Sequence, residues 1–305
     1  SARANVRQIF LDRGQGLSSS RANRTDNRQT VQTYTGQARL VGRLRSVADW
    51  SLLYRYGQTL SPADDPNTTL TQTFSDSQTH EYRGEATSGD RFGRLGWLAY
   101  AGGRRVERTG TAQNFADDEA GLELSYRLSA YARLLVGASY SDNDLNGATV
   151  SEDGFGWHGG FVLTPSERTR LELRAGQTGN RTRINGLLSH KFSERVNAQV
   201  TYTDELSAVA LVENAQLQAN SLSQDGFILG SDGNPIFDND LLFNLSDSDF
   251  RRRSLNAGLS WRHKRTTASL NGVWERRTFT ANIRTSETFA ANAAYQHELN
   301  SKNRI

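Results

Sequence analysis

Along most of this chain, apolar and polar residues alternate with a period of two over stretches of about ten residues. In 120–128, Ala120, Leu122, Leu124, Tyr126 and Leu128 are apolar or aromatic, while Gly121, Glu123, Ser125 and Arg127 lie between them. A strand sends these two sets to opposite faces. After a short polar link, Leu134, Val136, Ala138 and Tyr140 repeat the pattern, which predicts a hairpin with one apolar face and one small or polar face. The rhythm returns at Phe155, Trp157, Phe161 and Leu163, then at Leu171, Leu173 and Ala175, and at Val196, Ala198, Val200 and Tyr202. Leu255, Ala257, Leu259 and Trp261 enter another turn, Ala268, Leu270 and Trp274 leave it, and Phe289, Ala291, Ala293 and Tyr295 follow. Earlier strands are marked by Tyr34, Ala38, Leu40 and Leu44, by Trp50, Leu52, Tyr54 and Tyr56, and by a weaker pair over 82–87 and 95–101.

Short polar turns are predicted near Arg45, Asp90, Tyr131, Glu167, Glu194, Lys264 and Lys302. The opposite strand ends carry longer connections, for example 58–80, 142–153 and 206–250. Short turns at one end with long loops at the other is the arrangement of an outer-membrane barrel. The expected fold is therefore all-β: one large antiparallel transmembrane barrel over 1–305, of about 16 or more strands. Barrels of this type usually end in an aromatic residue on a complete last strand, whereas this chain stops at Arg304-Ile305. The expectation is a barrel whose last strand or strands lie beyond the sequence. With no Met at all, position 1 included, the chain reads as starting downstream of its translation start, as a processed exported protein does.

A helical membrane protein is excluded, because no window approaches the ~18 consecutive apolar residues that a spanning helix needs. With 27 Gly and 4 Pro, the composition suits strands and tight turns, and the absence of Cys removes disulfides and thiolate chemistry. With 36 basic and 33 acidic residues the charge is nearly balanced, which gives no case for a nucleic-acid partner. A soluble β-solenoid or a pair of sandwiches shares the alternation. The membrane is favoured by an apolar face of little besides Leu, Val, Ala, Gly and aromatics, and by aromatics toward strand ends, where interfacial girdles sit.

In a barrel, Leu122, Leu124, Tyr126, Val136, Tyr140, Trp157, Leu171, Leu259, Trp261 and Leu270 face lipid. The other face then offers Arg39, Arg43, Arg55, Arg83, Glu85, Glu123, Arg127, Glu172, Arg174, Arg262, Glu275 and Glu298 as pore-lining residues. Unpaired charge cannot fill a dry core, so this face is expected to be wet, and barrels of ~16–18 strands are wide enough for an aqueous channel. Mixed charge with many amides fits a hydrated lining for sugars; equally, the charges can pair across neighbouring strands and simply keep the interior wet. The segment 206–250 includes a stretch, LSAVALVENAQLQANSL, with helical spacing. It is read either as a plug or lid folded into the mouth or as a solvent-facing outer loop. Asp232, Asn234, Asp238 and Asp240 do not match the spacing of a calcium loop.

No nucleophile elbow, Walker loop, HExxH or dinucleotide motif is present. His190, His263 and His297 precede short turns, a natural interfacial position, and His158 is the one histidine expected inside. No catalytic residue, metal site or cofactor is expected, and the chain is read as a non-enzyme.

The segment DNDLLFNLSDSDFRRRSLNAGLSWRHKRTTASLNGVWERRTF resembles the outer-membrane proteins associated with the PEP-CTERM/exosortase system. The matching features are a loop of Asp, Asn and Phe at 238–250, a basic strand start at Arg251–Arg253, a basic turn at 264–266, a Ser/Leu strand at 268–270 and an Arg-Arg-aromatic ending at 276–279. The stretch LSHKFSERVNAQVTYTDE at 188–205 also fits, so the resemblance covers roughly the last 120 residues. It implies an outer-membrane barrel of a Gram-negative cell, tied to exopolysaccharide export or surface assembly. The implied partners are outer-membrane lipid or lipopolysaccharide and a polysaccharide or periplasmic export component. A general porin or nutrient channel, and a scaffold that sheathes or anchors a partner protein, stay open as alternatives.

Overall fold

The computed structural model describes residues 2–10, 28–60, 75–110, 114–145, 153–208, 211, 221–222, 228–229, 249–279, 284–300 and 303–304. The strands are β1 (Ala2–Phe10), β2 (Arg28–Leu44), β3 (Ala48–Leu60), β4 (Ser77–Ser88), β5 (Leu95–Arg108), β6 (Phe115–Arg127), β7 (Ala132–Leu145), β8 (Gly154–Ser166) and β9 (Thr169–Thr178). They continue with β10 (Arg181–Ser193), β11 (Val196–Ala208), a small hairpin of β12 (Ser221–Leu222) and β13 (Ile228–Leu229), then β14 (Asp249–His263), β15 (Thr266–Phe279), β16 (Thr285–Asn300) and β17 (Asn303–Arg304). All but β12 and β13 join one 15-stranded sheet in which sheet order follows chain order. Every described pairing is antiparallel, as in an up-and-down meander, and β1 and β17 are the two ends of the sheet, not paired with each other among the described residues.

Six of the seven predicted turns lie at one rim, and the seventh, near Lys302, lies outside the described residues. Two of these turns hold a side chain in the left-handed region, Arg45 at φ 48° and Lys264 at φ 52°. Tight hairpin turns need that conformation so that their twist matches the flanking strands. The other rim carries the longer connections, with an exception that the loop-length reading did not foresee. β9 and β10 are joined there by two residues, Gly179 at φ 54° and Asn180. The expected loop 206–250 is shorter than read, because the ladder continues into it: Ser207 pairs with Phe250 and Ala208 with Asp249. Most of what remains of it, including its helical stretch and the Asp232–Asp240 group, lies outside the described residues.

The sheet is strongly rolled. β5 and β14 stand seven places apart in sheet order, about 34 Å in a flat sheet at the usual strand spacing. Yet Arg108 Nη2 on β5 lies 2.8 Å from Asp249 Oδ1 on β14. The roll sorts the two faces. Leu95, Tyr126, Leu134, Phe161, Leu173, Gly186, Tyr202, Leu255, Trp274 and Phe289 are register partners in one row across ten strands, all on the outside. Rows beside it are as apolar, for example Leu163, Leu171, Leu188, Val200, Ala257, Gly272 and Ala291.

These outward side chains have no protein cover. Val136 is 65% exposed, Phe155 64% and Phe289 74%. The inside holds arginines, carboxylates, Ser, Thr and Gly. A soluble sandwich buries its apolar face between sheets and wets the other; this sheet does the reverse. An apolar belt of this extent costs little only against hydrocarbon, and a closed ladder is the strand arrangement that satisfies its backbone there. The belt ends in interfacial side chains at both rims. At the short-turn rim, His190 and Phe192 meet edge to face and His263 stacks on Trp261. Toward the loop rim come Tyr34, Tyr54, Tyr82 and Tyr140, all exposed.

Candidate functional site

The inner face follows from strand alternation. One inner row runs Arg43, Asp49, Thr87, Leu98, Glu123, Gly137, His158, Gly176 and Arg183. At its centre the Glu123 carboxylate is 6% exposed and is held from two strands. It accepts from Arg174 Nε at 2.8 Å and lies 2.9 Å from His158 Nε2. Arg174 also pairs with Glu172, which in turn accepts from Arg170 Nη2 at 2.7 Å. The imidazole reaches Glu123 by lying over Gly137 on the intervening strand, where a Cβ would run into the ring. A small residue on β7 is thus what lets β6, β8 and β9 share one ion-pair cluster.

A second cluster spans the interior. Arg104 on β5 pairs with Asp117 on β6, and its Nη1 lies 3.8 Å from Glu205 on β11. Glu205 lies 3.4 Å from Arg252 Nη1 on β14, and Arg252 Nε donates to Glu275 on β15 at 2.8 Å. Glu275 also accepts from Arg277 at 2.5 Å, and the Arg277 guanidinium stands 4.6 Å over the buried Phe250 ring. Alternating charges therefore cross from one wall to the opposite one. Nearer the loop rim, Val106, Phe115, Leu206, Ala208 and Leu211 gather in one buried cluster that ties β5 and β6 to β11. Leu206, Ala208 and Leu211, at the start of the segment 206–250, take part in this cluster. Opposed walls meet near the loop rim, and strand ends make the contact.

Below this contact a cavity of about 730 Å³ remains. Six arginines and the inward carboxylates of Glu81, Asp117, Glu119, Glu123 and Glu205 border it, so the charge of its wall is nearly balanced; Asp204, also at its border, belongs by register to the other face of β11. Buried polar atoms of Thr59, Ser77, Ser141, Asn143, Asn197, Thr201 and Asn271 find no hydrogen-bond partner among the described residues. By register all seven side chains belong to the inner face. Orphan polar groups of this kind are stable where water reaches them.

Of the residues expected to line the inside, Arg39, Arg43, Arg55, Arg83, Glu85, Glu123, Arg127, Glu172, Arg174, Arg262 and Glu275 share this face; the Glu298 side chain lies outside the described residues. They do not form one site. Arg43 pairs with Asp49 at 2.6 Å, Arg55 with Glu81 at 2.9 Å and Arg83 with Glu85 at 2.6 Å, each within its own part of the wall. Arg39, Arg127 and Arg262 are exposed and make no ion pair among the described residues. The residues that cross the interior, Arg104, Asp117, Glu205, Arg252 and Arg277, were missed. Their signal was parity carried to the strand ends: in each of the runs Arg104-Arg105, Arg251–Arg253 and Arg276-Arg277, neighbours point to opposite faces.

An outward apolar belt, an inward charged wall and short turns opposite long loops define a transmembrane β-barrel of the outer-membrane type. The ferric enterobactin receptor from Pseudomonas aeruginosa, as a G324V mutant, is similar with a TM-score of 0.48 and 14% identity, over 98% of this chain and 55% of that one. The copper transporter OprC is similar with a TM-score of 0.43 and 10% identity, over 98% and 54%. The siderophore receptor PirA from Acinetobacter baumannii gives 0.40 and 10%, over 92% and 51%. The chain thus spans about half the length of these structures. No protein-family model matches it, and no curated protein does.

Proposed function

We propose that this chain forms the wall of an outer-membrane passage for a neutral polar solute, with extracellular polysaccharide as the solute class. The observation that carries the reading is the charge-balanced, water-accessible inner face. A lumen selective for ions presents a ring of one sign, whereas here Glu81, Asp117, Glu123 and Glu205 sit against arginines and Glu119 accepts from the Tyr100 hydroxyl. Paired guanidinium and carboxylate groups still offer many hydrogen-bond donors and acceptors, which is what a sugar hydroxyl requires. The resemblance of the last 120 or so residues to exosortase-associated barrels supports the polysaccharide class. The chain acts as conduit or receptor, with export driven by periplasmic partners.

The test is electrical and osmotic. In planar bilayers, the full-length protein should show a cation-to-anion permeability ratio near one. Neutral oligosaccharides should block its current in the millimolar range. In the host, deletion of the gene should remove surface polysaccharide. Strong ion selectivity without sugar block, or intact surface polysaccharide in the deletion strain, refutes the assignment.

A further inference from the structure

The outer wall of β14–β16 carries a feature that a uniform lipid-facing belt does not need. Leu255, Trp274 and Phe289 rise around a floor of Ala257, Gly272 and Ala291 to leave a groove of about 440 Å³. Its floor is open: a Cβ built at Gly272 meets no heavy atom within 4 Å. One register step toward the loop rim, two arginines stand directly opposite each other on the same outer face, Arg253 on β14 and Arg276 on β15. Like charges facing each other across a ladder are unfavourable unless an anion lies between them.

The inner face of the same strands shows how such a pair is normally relieved. Arg252 and Arg277 are also register partners, and both donate to Glu275. Among the described residues the outer pair has no shared carboxylate. Arg253 uses Nε on Asp204 at 3.2 Å, and Arg276 uses Nε on Glu287 at 3.4 Å. Asp204 is itself taken up by Arg251, at 2.6 and 2.7 Å. The terminal guanidinium nitrogens of Arg253 and Arg276 stay without a partner among the described residues, and their side chains are 41% and 44% exposed. Guanidinium groups are suited to bind phosphate through two parallel donors.

From the groove and the arginine pair above it, we infer a binding site for a phosphorylated, multiply acylated lipid of the lipid A kind. An acyl chain lies in the groove over Gly272, and a phosphate bridges Arg253 and Arg276. The position fits this ligand, because these arginines lie at the loop rim, the outward rim in an outer-membrane barrel. Charge at headgroup level above hydrocarbon is what an anionic amphiphile complements. The inference rests on the membrane-barrel part of the proposed function and is independent of what passes through the lumen.

The test uses the full-length protein in detergent micelles, with native mass spectrometry to read bound lipid. Probes are bisphosphorylated lipid A, its dephosphorylated form, phosphatidylethanolamine and inorganic phosphate. Bisphosphorylated lipid A should bind, and loss of its phosphates should weaken binding at least about tenfold. The double variant R253Q/R276Q should weaken it by a similar factor. Gly272→Leu fills the groove and should weaken binding of both lipid A forms while leaving the phosphate preference in place. Inorganic phosphate should not compete at micromolar concentration. Equal binding of lipid A, its dephosphorylated form and phosphatidylethanolamine, or binding unchanged in both variants, overturns the site. Heat-modifiable migration on gels, checked for each variant, keeps a folding defect apart from a binding defect. If the wild type neither inserts into membranes nor shows that migration, the barrel reading fails; insertion without phosphate-selective binding removes only the lipid site.

Discussion

A charge placed on the outer belt separates a membrane wall from an exposed soluble one. Leu122 on β6 is suited to the experiment because it sits midway along the outward face of its strand, between Asp118 toward the loop rim and Tyr126 toward the short-turn rim. Its row partners are Ala99 on β5 and Ala138 on β7, so no acidic neighbour can pair with a new charge. Leu122 is 48% exposed. On a water-facing surface, Leu122→Arg would change stability by no more than about 0.5 kcal/mol. Against hydrocarbon near the midplane, the same change costs about 2–4 kcal/mol, which lowers the folded-to-unfolded ratio by a factor of roughly 30 to 900.

Depth gives the internal control. Tyr126→Arg, near the short-turn rim, should cost only about 0–1 kcal/mol, because arginine there reaches the interface. The assay is urea titration of the protein folded in lipid vesicles, read by heat-modifiable gel migration and tryptophan fluorescence. A loss that is large at Leu122 and small at Tyr126 is the expected result. Equal, small losses at both positions would falsify the lipid-facing assignment of the whole belt.

Further expectations concern the inside. Glu123→Leu removes the acceptor shared by Arg174 and His158, and should cost about 1–3 kcal/mol in the same titration, since hydrogen bonds to charged groups are the strong ones; no loss would mean that the cluster is dispensable. Gly137→Val drives a side chain into the His158 ring, and should cost about 1–3 kcal/mol as overpacking does, with Gly137→Ala intermediate. Paired truncation Phe115→Ala with Leu206→Ala opens the contact between β6 and β11, so single-channel conductance should rise while stability falls by several kcal/mol; unchanged conductance in a folded barrel places the barrier elsewhere. Arg127→Ala, on an exposed inner position without an ion pair, should change stability by less than about 1 kcal/mol.

Much of this architecture was legible because a strand has an exact period. Once Leu122, Leu124 and Tyr126 are placed outside, Glu123 and Arg127 have nowhere else to go, and one correct parity sorts the side chains along the spanning part of a strand; Leu206 and Ala208, which share the parity of Tyr202 yet pack with Val106 and Phe115, show that the rule stops at the strand ends. Turn positions were readable for a related reason, since Arg45 and Lys264 interrupt the apolar rhythm where the chain must reverse. What failed was everything decided by the roll of the sheet. Alternation says that Arg104 and Arg252 share a face, but they lie on strands far apart in the sheet, and only the roll brings both to Glu205. The same blindness covers Val106 and Phe115, which read as ordinary apolar residues near a loop and close the interior instead.

The runs of arginine show why a barrel can be read locally and still surprise at its site. In Arg251–Arg253 a soluble protein would place all three in water, and their sequence carries nothing more than positive charge. Membrane burial divides them: Arg252 enters the charge network of the lumen, while Arg251 and Arg253 stand above the belt beside Asp204. The neighbouring Arg276-Arg277 divides in the same way, so one arginine pair faces Glu275 inside and another faces outward without a shared acid among the described residues. The outer members each have one carboxylate of their own, Asp204 for Arg253 and Glu287 for Arg276, and the lipid site inferred above would give the pair a shared anion as well.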